Sequence, residues 1–227
     1  MSAPPSALQA VLFDHDGTLV DSEPVHLLLW QQVLAPLGVT LDLVTYQAHH
    51  AGMPTPANAQ ALVQRFALNL SASQLADAKH EATVQWLAAQ PFPLMPSARE
   101  VLHRLRAAGL KLAIVTGAEA AGAQRTLQGH GLQGFFDTVV SGDDVVRSKP
   151  APEAYQLAMT RLGLPPEACV AVEDTETGVS AAVDAGLRVL AVPHALSAHQ
   201  DLSRATERFD DLTQATNWLL KPVRPFC

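Results

Sequence analysis

Five short runs of apolar, β-leaning residues punctuate the chain, at 10–13, 110–115, 138–140, 169–172 and 187–192. None alternates strictly with polar residues, which is the pattern of strands buried on both faces of a sheet. Between the last four lie stretches of helical period. Ser97 and Glu100 have capping-box spacing ahead of Val101, Leu102 and Leu105, and Gly109 is placed to end that helix. Further helices are expected over 119–130, 152–162 and 177–185, the last two stopped by Gly163 and Gly186, with a closing helix over 211–220. Apolar strands separated by helices predict a parallel sheet covered on both faces and joined by right-handed crossovers. The fold class is a doubly wound, Rossmann-like α/β core.

The stretch after the first strand breaks that rhythm. Ser22 can cap a helix carrying Pro24 in its first turn and Val25, Leu29 and Val33 on its apolar face, ending before Pro36. A short helix over 41–50 follows, then a third opened by Thr55-Pro56 and carrying Leu62, Val63 and Phe66. Ser71 and Gln74 form a capping box for a fourth, which runs through Leu75, Ala78, Ala82 and Trp86. Pro91, Pro93 and Pro96 interrupt the chain just beyond. The expectation is an all-helical insert over 21–93, with 1–20 and 94–227 forming the core. Residues 1–9, with Pro4 and Pro5, read as a loose lead-in.

Composition narrows the picture. A chain of 227 residues, 48% hydrophobic, can bury a full core and a second small domain. Its formal charge of −7, with no local cluster of Lys or Arg, argues against a nucleic-acid partner. Cys169 and Cys227 are far apart, so neither a disulfide framework nor a zinc site is indicated. No window approaches eighteen uninterrupted apolar residues, and the N-terminus lacks a basic segment followed by an apolar run. A soluble protein of the reducing cytoplasm, with no membrane partner, is expected; oligomeric state is not legible.

Candidate chemistry collects where strands end, because in an open parallel sheet the loops and helix N-termini at the carboxyl edge share one crevice. The first strand runs into Asp14-His15-Asp16-Gly17. If strand geometry persists, Asp14 and Asp16 share a face and His15 turns away. At an effective dielectric of 20, two carboxylates roughly 5 Å apart repel by about 3 kcal/mol, so a cation, a shared proton or separation is needed. Alone, such a turn is more simply a solvated stop to a strand. The second strand, however, ends in Thr116-Gly117 and the fourth in Glu173-Asp174, while Lys149-Pro150 precedes the helix before the fourth. Four segments thus deliver carboxylates, a hydroxyl and an ammonium to one edge.

This arrangement resembles the haloacid dehalogenase-like hydrolase superfamily, in its phosphatase and phosphomutase branch with a helical cap after the first motif. The resemblance covers nearly the whole chain. Its motifs correspond to Asp14 through Glu23, to Thr116, to Lys149-Pro150-Ala151-Pro152, and to Glu173-Asp174 with Gly178, Ala181, Ala182, Ala185 and Gly186. Gly117, Ser148 and Thr175 depart from the residues most frequent beside those motifs, and none removes a reacting group.

The resemblance implies a phosphomonoesterase acting through an aspartyl-phosphate on a small phosphorylated metabolite. Asp14 would be the nucleophile, Asp16 the proton carrier, and Thr116 and Lys149 the phosphoryl ligands. A magnesium ion would be held by Asp14, Asp16 (through its carbonyl), Glu173 and Asp174. Gly117 lies beside the phosphoryl site, and His49, His50 and Thr55 flank the insert's specificity loop as candidate substrate contacts. His15, Trp30 and Trp86 are assigned to packing. Gly52 to Ala59 holds no arginine or lysine, which favours hydrolysis over a β-phosphoglucomutase-like transfer, since mutases of this kind usually grip a distal phosphate there. With Arg65 and Lys79 as the insert's permanent cations, a sugar or polyol phosphate is preferred over phosphoglycolate. Lys79 is expected on an exposed face, which also disfavours a phosphonatase. A catalytically silent binding module remains the alternative of a different class, though every reacting group is present.

Overall fold

The computed structural model describes residues 8–221, so residues 1–7 of the expected lead-in and Cys227 lie outside the described residues, while Leu8 packs on the core and Gln9 N–H donates to Ala168 O at 2.8 Å. Six parallel strands form one sheet in the order β3-β2-β1-β4-β5-β6. They are β1 (Ala10–Phe13), β2 (Lys111–Val115), β3 (Thr138–Val140), β4 (Cys169–Glu173), β5 (Arg188–Ala191) and the two-residue β6 (Glu207–Arg208). The first five are the apolar runs read from the sequence. β6 was not anticipated, and two residues carry no periodicity to announce it.

Between β1 and β2 come α1 (Glu23–Leu34), α2 (Leu43–His49), α3 (Thr55–Arg65), α4 (Ala72–Ala89) and α5 (Ala98–Ala107). The crossovers between later strands are α6 (Ala120–Gly129), α7 (Glu153–Leu162) and α8 (Glu176–Asp184), and α9 (Leu212–Leu219) closes the fold. The sheet is buried on both faces. Val11, Phe13, Ile114 and Val172 pack one way with α5 and α9, while Leu12, Ala113, Ala171 and Val189 pack the other way with α7 and α8. The insert has its own apolar centre, where Trp30, Leu34, Tyr46, Leu62 and Leu75 meet. Among the described residues no helix is long and apolar enough to cross a membrane.

The two connections between insert and sheet run side by side. Val20 pairs with Leu94 in an antiparallel bridge, Asp21 N–H donates to Pro93 O at 2.8 Å and Met95 N–H to Leu19 O at 2.9 Å. The second connection is also pinned to the core, where His130 Nε2 lies 2.7 Å from Phe92 O.

Caps divide by context. Ser71 and Gln74 form the expected capping box, but Ser22 and Ser97 do not cap through their side chains. Ser22 already has helical torsions (φ −81°, ψ −25°) rather than the extended ones of a capping residue. Ser97 sits at φ 62°, where its side chain cannot reach the third amide. A left-handed non-glycine residue costs about 1–2 kcal/mol. Ser97→Gly is therefore expected to stabilise the protein by about 1 kcal/mol in urea denaturation, the gain being reduced by glycine's freer unfolded state.

Candidate active site

Strand register sets the geometry. Phe13 lies level with Ile114 of β2 and Val172 of β4, and Asp14 N–H donates to Val172 O at 3.0 Å. The residues at and just past the ends of three neighbouring strands therefore emerge within about one residue of the same height: Asp14, Thr116, and Glu173 with Asp174. This is the carboxyl edge at the centre of the sheet, beside the point where the chain crosses from β3 over to β4.

Lys149 reaches into that edge from the loop ahead of α7. Its Nζ donates to Asp14 Oδ1 at 2.6 Å, to Glu173 Oε1 at 2.5 Å and to Val115 O at 2.9 Å. Tyr155 on α7 donates its hydroxyl to the same Glu173 oxygen at 2.6 Å and lies under the ammonium, 5.1 Å from ring centre to Nζ. Burial favours neutral lysine, yet the two carboxylates dominate and hold Lys149 above its ordinary range.

The acids are under opposite pressure. Burial raises Asp14 to about 6 and Glu173 to about 7, even against the ammonium, and it raises Asp174 as well. Oxygens of Asp14, Glu173 and Asp174 lie within 4.8 Å of one another. Glu173 Oε2 is buried without a partner. An all-oxygen donor set, excess buried negative charge and an unsatisfied carboxylate oxygen together fit a hard divalent cation such as magnesium. Two glycines let the carboxylates in. Gly17 has φ 88° and a Cβ there would fall 2.5 Å from Asp174 Oδ2, while a Cβ on Gly178 would collide with the Glu173 carboxylate.

Asp16 is half-buried nearby and accepts from Thr116 Oγ1 at 3.4 Å. Its Oδ2 also lies 3.1 Å from His15 Nδ1. His15 therefore does not turn away as strand alternation predicts. Strand geometry stops at Phe13, and a bend at 15 swings the ring back along the chain.

Asp174 has partners that the sequence did not reveal. Thr18 Oγ1 donates to Oδ1 at 3.3 Å. His194, after β5, lies 3.2 Å from Oδ2 through Nε2. Because His194 Nδ1 accepts the Leu196 N–H at 3.3 Å, the ring proton sits on Nε2 and is donated to Asp174.

The insert contributes groups that also escaped the sequence reading. Lys79 is 2% exposed, which overturns its expected exposed position. It shares a stripe with Leu75 and Ala82 on α4, spacing that could have shown its burial. Its Nζ donates to Thr83 Oγ1 at 3.0 Å, stands 3.3 Å from His26 Nδ1 and 5.5 Å from the Trp30 ring centre. Burial lowers it to about 8, partly offset by Glu23 and Asp16. Burial and the neighbouring ammonium lower His26 to about 4, so its Nδ1 accepts from Lys79. Glu23, also buried, accepts from Tyr46 Oη at 2.6 Å and Gly52 N at 3.1 Å.

The remaining candidates are dispersed. Gly117 is exposed just past β2. His49 is exposed at the end of α2, whereas His50 is buried with Nδ1 2.8 Å from Asn58 Oδ1. Thr55 begins α3. Between them the loop at Gly52 comes down on the core, since a Cβ there would lie 3.5 Å from Thr175 Cγ2, next to Asp174.

Residues 8–186 match the family described as haloacid dehalogenase-like hydrolase. Protein CbbY of Rhodobacter capsulatus is 33% identical over 218 residues, covering 92% of this chain and 95% of that protein. The fructose-1-phosphate phosphatase YqaB of Escherichia coli K12 is 36% identical over 179 residues, 78% of this chain and 92% of its own. The crystal structure of CbbY from Rhodobacter sphaeroides in complex with phosphate superposes with a TM-score of 0.77 at 28% identity, covering 91% of this chain and 96% of that one.

Magnesium titrated into metal-free protein is expected to raise its stability, by about 2.7 kcal/mol at a hundredfold excess over Kd. Asp174→Asn should lose most of that gain. Scanning calorimetry measures both, and equal stabilisation of the two proteins would remove Asp174 from the metal site.

Proposed function

Because the chain belongs to the haloacid dehalogenase-like hydrolases, we propose that it is a magnesium-dependent phosphomonoesterase that acts on a sugar phosphate through Asp14. The observation that carries this reading is Lys149 bridging Asp14 and Glu173 beside Asp174. That cluster places a nucleophile, a fixed positive charge and an oxygen-rich cation site together, as attack on a phosphate dianion requires.

In this reading Asp14 attacks phosphorus and becomes an aspartyl-phosphate. Asp16 protonates the departing sugar oxygen and later takes the proton of the attacking water. Thr116 Oγ1 and Lys149 Nζ hold phosphoryl oxygens, and Lys149 keeps Asp14 ionised despite burial. Asp14, Glu173, Asp174 and the Asp16 carbonyl would hold the magnesium, which when bound neutralises charge between nucleophile and phosphate. Residues 1–20 and 94–227 serve as the catalytic core, and 21–93 as the cap that chooses the leaving group.

Lys79, His26 and Glu23 make the cap's underside polar, and they suit sugar hydroxyls. The segment Gly52 to Ala59 still offers no arginine or lysine, so hydrolysis is preferred over phosphoryl transfer between two ends of a sugar. Buried Lys79 is nonetheless a cation that the sequence reading had left on the surface. The chemistry needs no nucleic acid or membrane partner, and sparing use of cysteine suits the cytoplasm.

A phosphate-release screen across sugar, polyol and nucleoside phosphates and phosphoglycolate is expected to favour sugar phosphates. Asp14→Asn should abolish turnover, by a factor of roughly 10⁴ or more given the loss of the nucleophile; wild-type rates in that variant would end the proposal. The pH profile isolates Lys79. Its ammonium is present below about 8 and lost above, so kcat/KM of the free enzyme should fall as pH rises through that value. Lys79→Met should be lower below that value, lack that limb, and approach the wild type above it.

A further inference from the structure

We propose that His15 is a positioning residue that fixes the carboxylate of Asp16, an inference that rests on Asp16 being the proton carrier. His15 is 1% exposed and follows a strand whose four residues are all apolar and buried. Its Nε2 is buried with no partner. An unpaired ring nitrogen in the interior is destabilising, and an aliphatic side chain would avoid that cost.

What an aliphatic side chain could not supply is Nδ1. That atom lies 3.1 Å from Asp16 Oδ2, and because an ionised carboxylate only accepts, Nδ1–H is the donor. Thr116 Oγ1 donates to the same oxygen at 3.4 Å. Once Thr116 turns its single O–H to a phosphoryl oxygen, the His15 ring is the donor that keeps Oδ2 in place, which leaves Oδ1 to carry the proton.

Asp14, two residues away, has a different partner, the ammonium of Lys149 on its Oδ1. The residue between the two carboxylates therefore separates their roles, giving one an oriented hydrogen bond while the other receives a cation.

The test compares His15→Leu, His15→Asn and His15→Gln on two esters: the sugar phosphate turned over fastest in the screen, and p-nitrophenyl phosphate. The sugar leaves as an alkoxide that needs a proton, whereas nitrophenolate does not, and kcat/KM reports only steps through phosphoryl transfer. His15→Leu is expected to lower kcat/KM for the sugar phosphate by roughly tenfold to a hundredfold, and for p-nitrophenyl phosphate by less than about threefold. Asparagine places an amide nitrogen where Nδ1 was and should restore most of the loss. Glutamine reaches only to the place of Nε2 and should not.

Equal losses on both esters, no loss in His15→Leu, or asparagine and glutamine behaving alike would each overturn the inference while leaving the phosphatase reading intact. A wild type that hydrolyses neither ester overturns both. If the leucine variant does not fold, the asparagine and glutamine pair decides.

Discussion

One ammonium group holds the functional edge of this molecule together. Without Lys149, the buried carboxylates of Asp14, Glu173 and Asp174 would repel one another in an environment that already disfavours charge. With it, Asp14 and Glu173 each gain a charge-assisted hydrogen bond, and the ammonium rests on the Tyr155 ring. The compensation is incomplete. One positive charge faces three acids, Asp14 and Glu173 stay raised, and Glu173 Oε2 has no partner. That residual imbalance suits the edge to a divalent cation.

The surrounding structure is arranged to keep that edge stiff. Tyr155 from α7 holds Glu173, while Thr18 and His194 hold Asp174 from opposite sides. Gly178 allows the Glu173 carboxylate to lie against α8, and Gly17 allows the turn after β1 to close over Asp174. Each partner comes from a different segment, so the site exists only once the sheet has formed. Placement by strand ends is more exact than loops alone could give, because register in a parallel sheet fixes height to within one residue.

Much of this could be read from the chain. Runs such as Ala10 to Phe13 and Cys169 to Val172 identify buried strands without help from context, and the polar residues that end them mark the functional edge. Local rules failed where tertiary geometry sets the backbone. Ser22 and Ser97 have capping spacing, but their torsions are dictated by the connections between insert and sheet. Lys79 was misplaced because a charged residue on a helix usually faces water. Its partner His26 lies 53 residues earlier, a separation no local pattern reports. His15 was assigned to packing by alternation, and its ring is buried, although the strand ends at Phe13 and a bend at 15 sets its direction.

The paired connections at Val20 and Leu94 have a consequence for how such a protein can diversify. Entry to and exit from the insert lie next to each other, so what hangs between them need not respect the spacing of the sheet. Helices can be lengthened, swapped or remodelled there with little effect on the acidic edge, much as a tool head is exchanged on a fixed handle. Selection can therefore act on the insert and on the acidic edge as nearly separate parts. The bridge between Asp16 and Val20 is the short tie between them, and it is there that inherited changes in one would first be felt by the other.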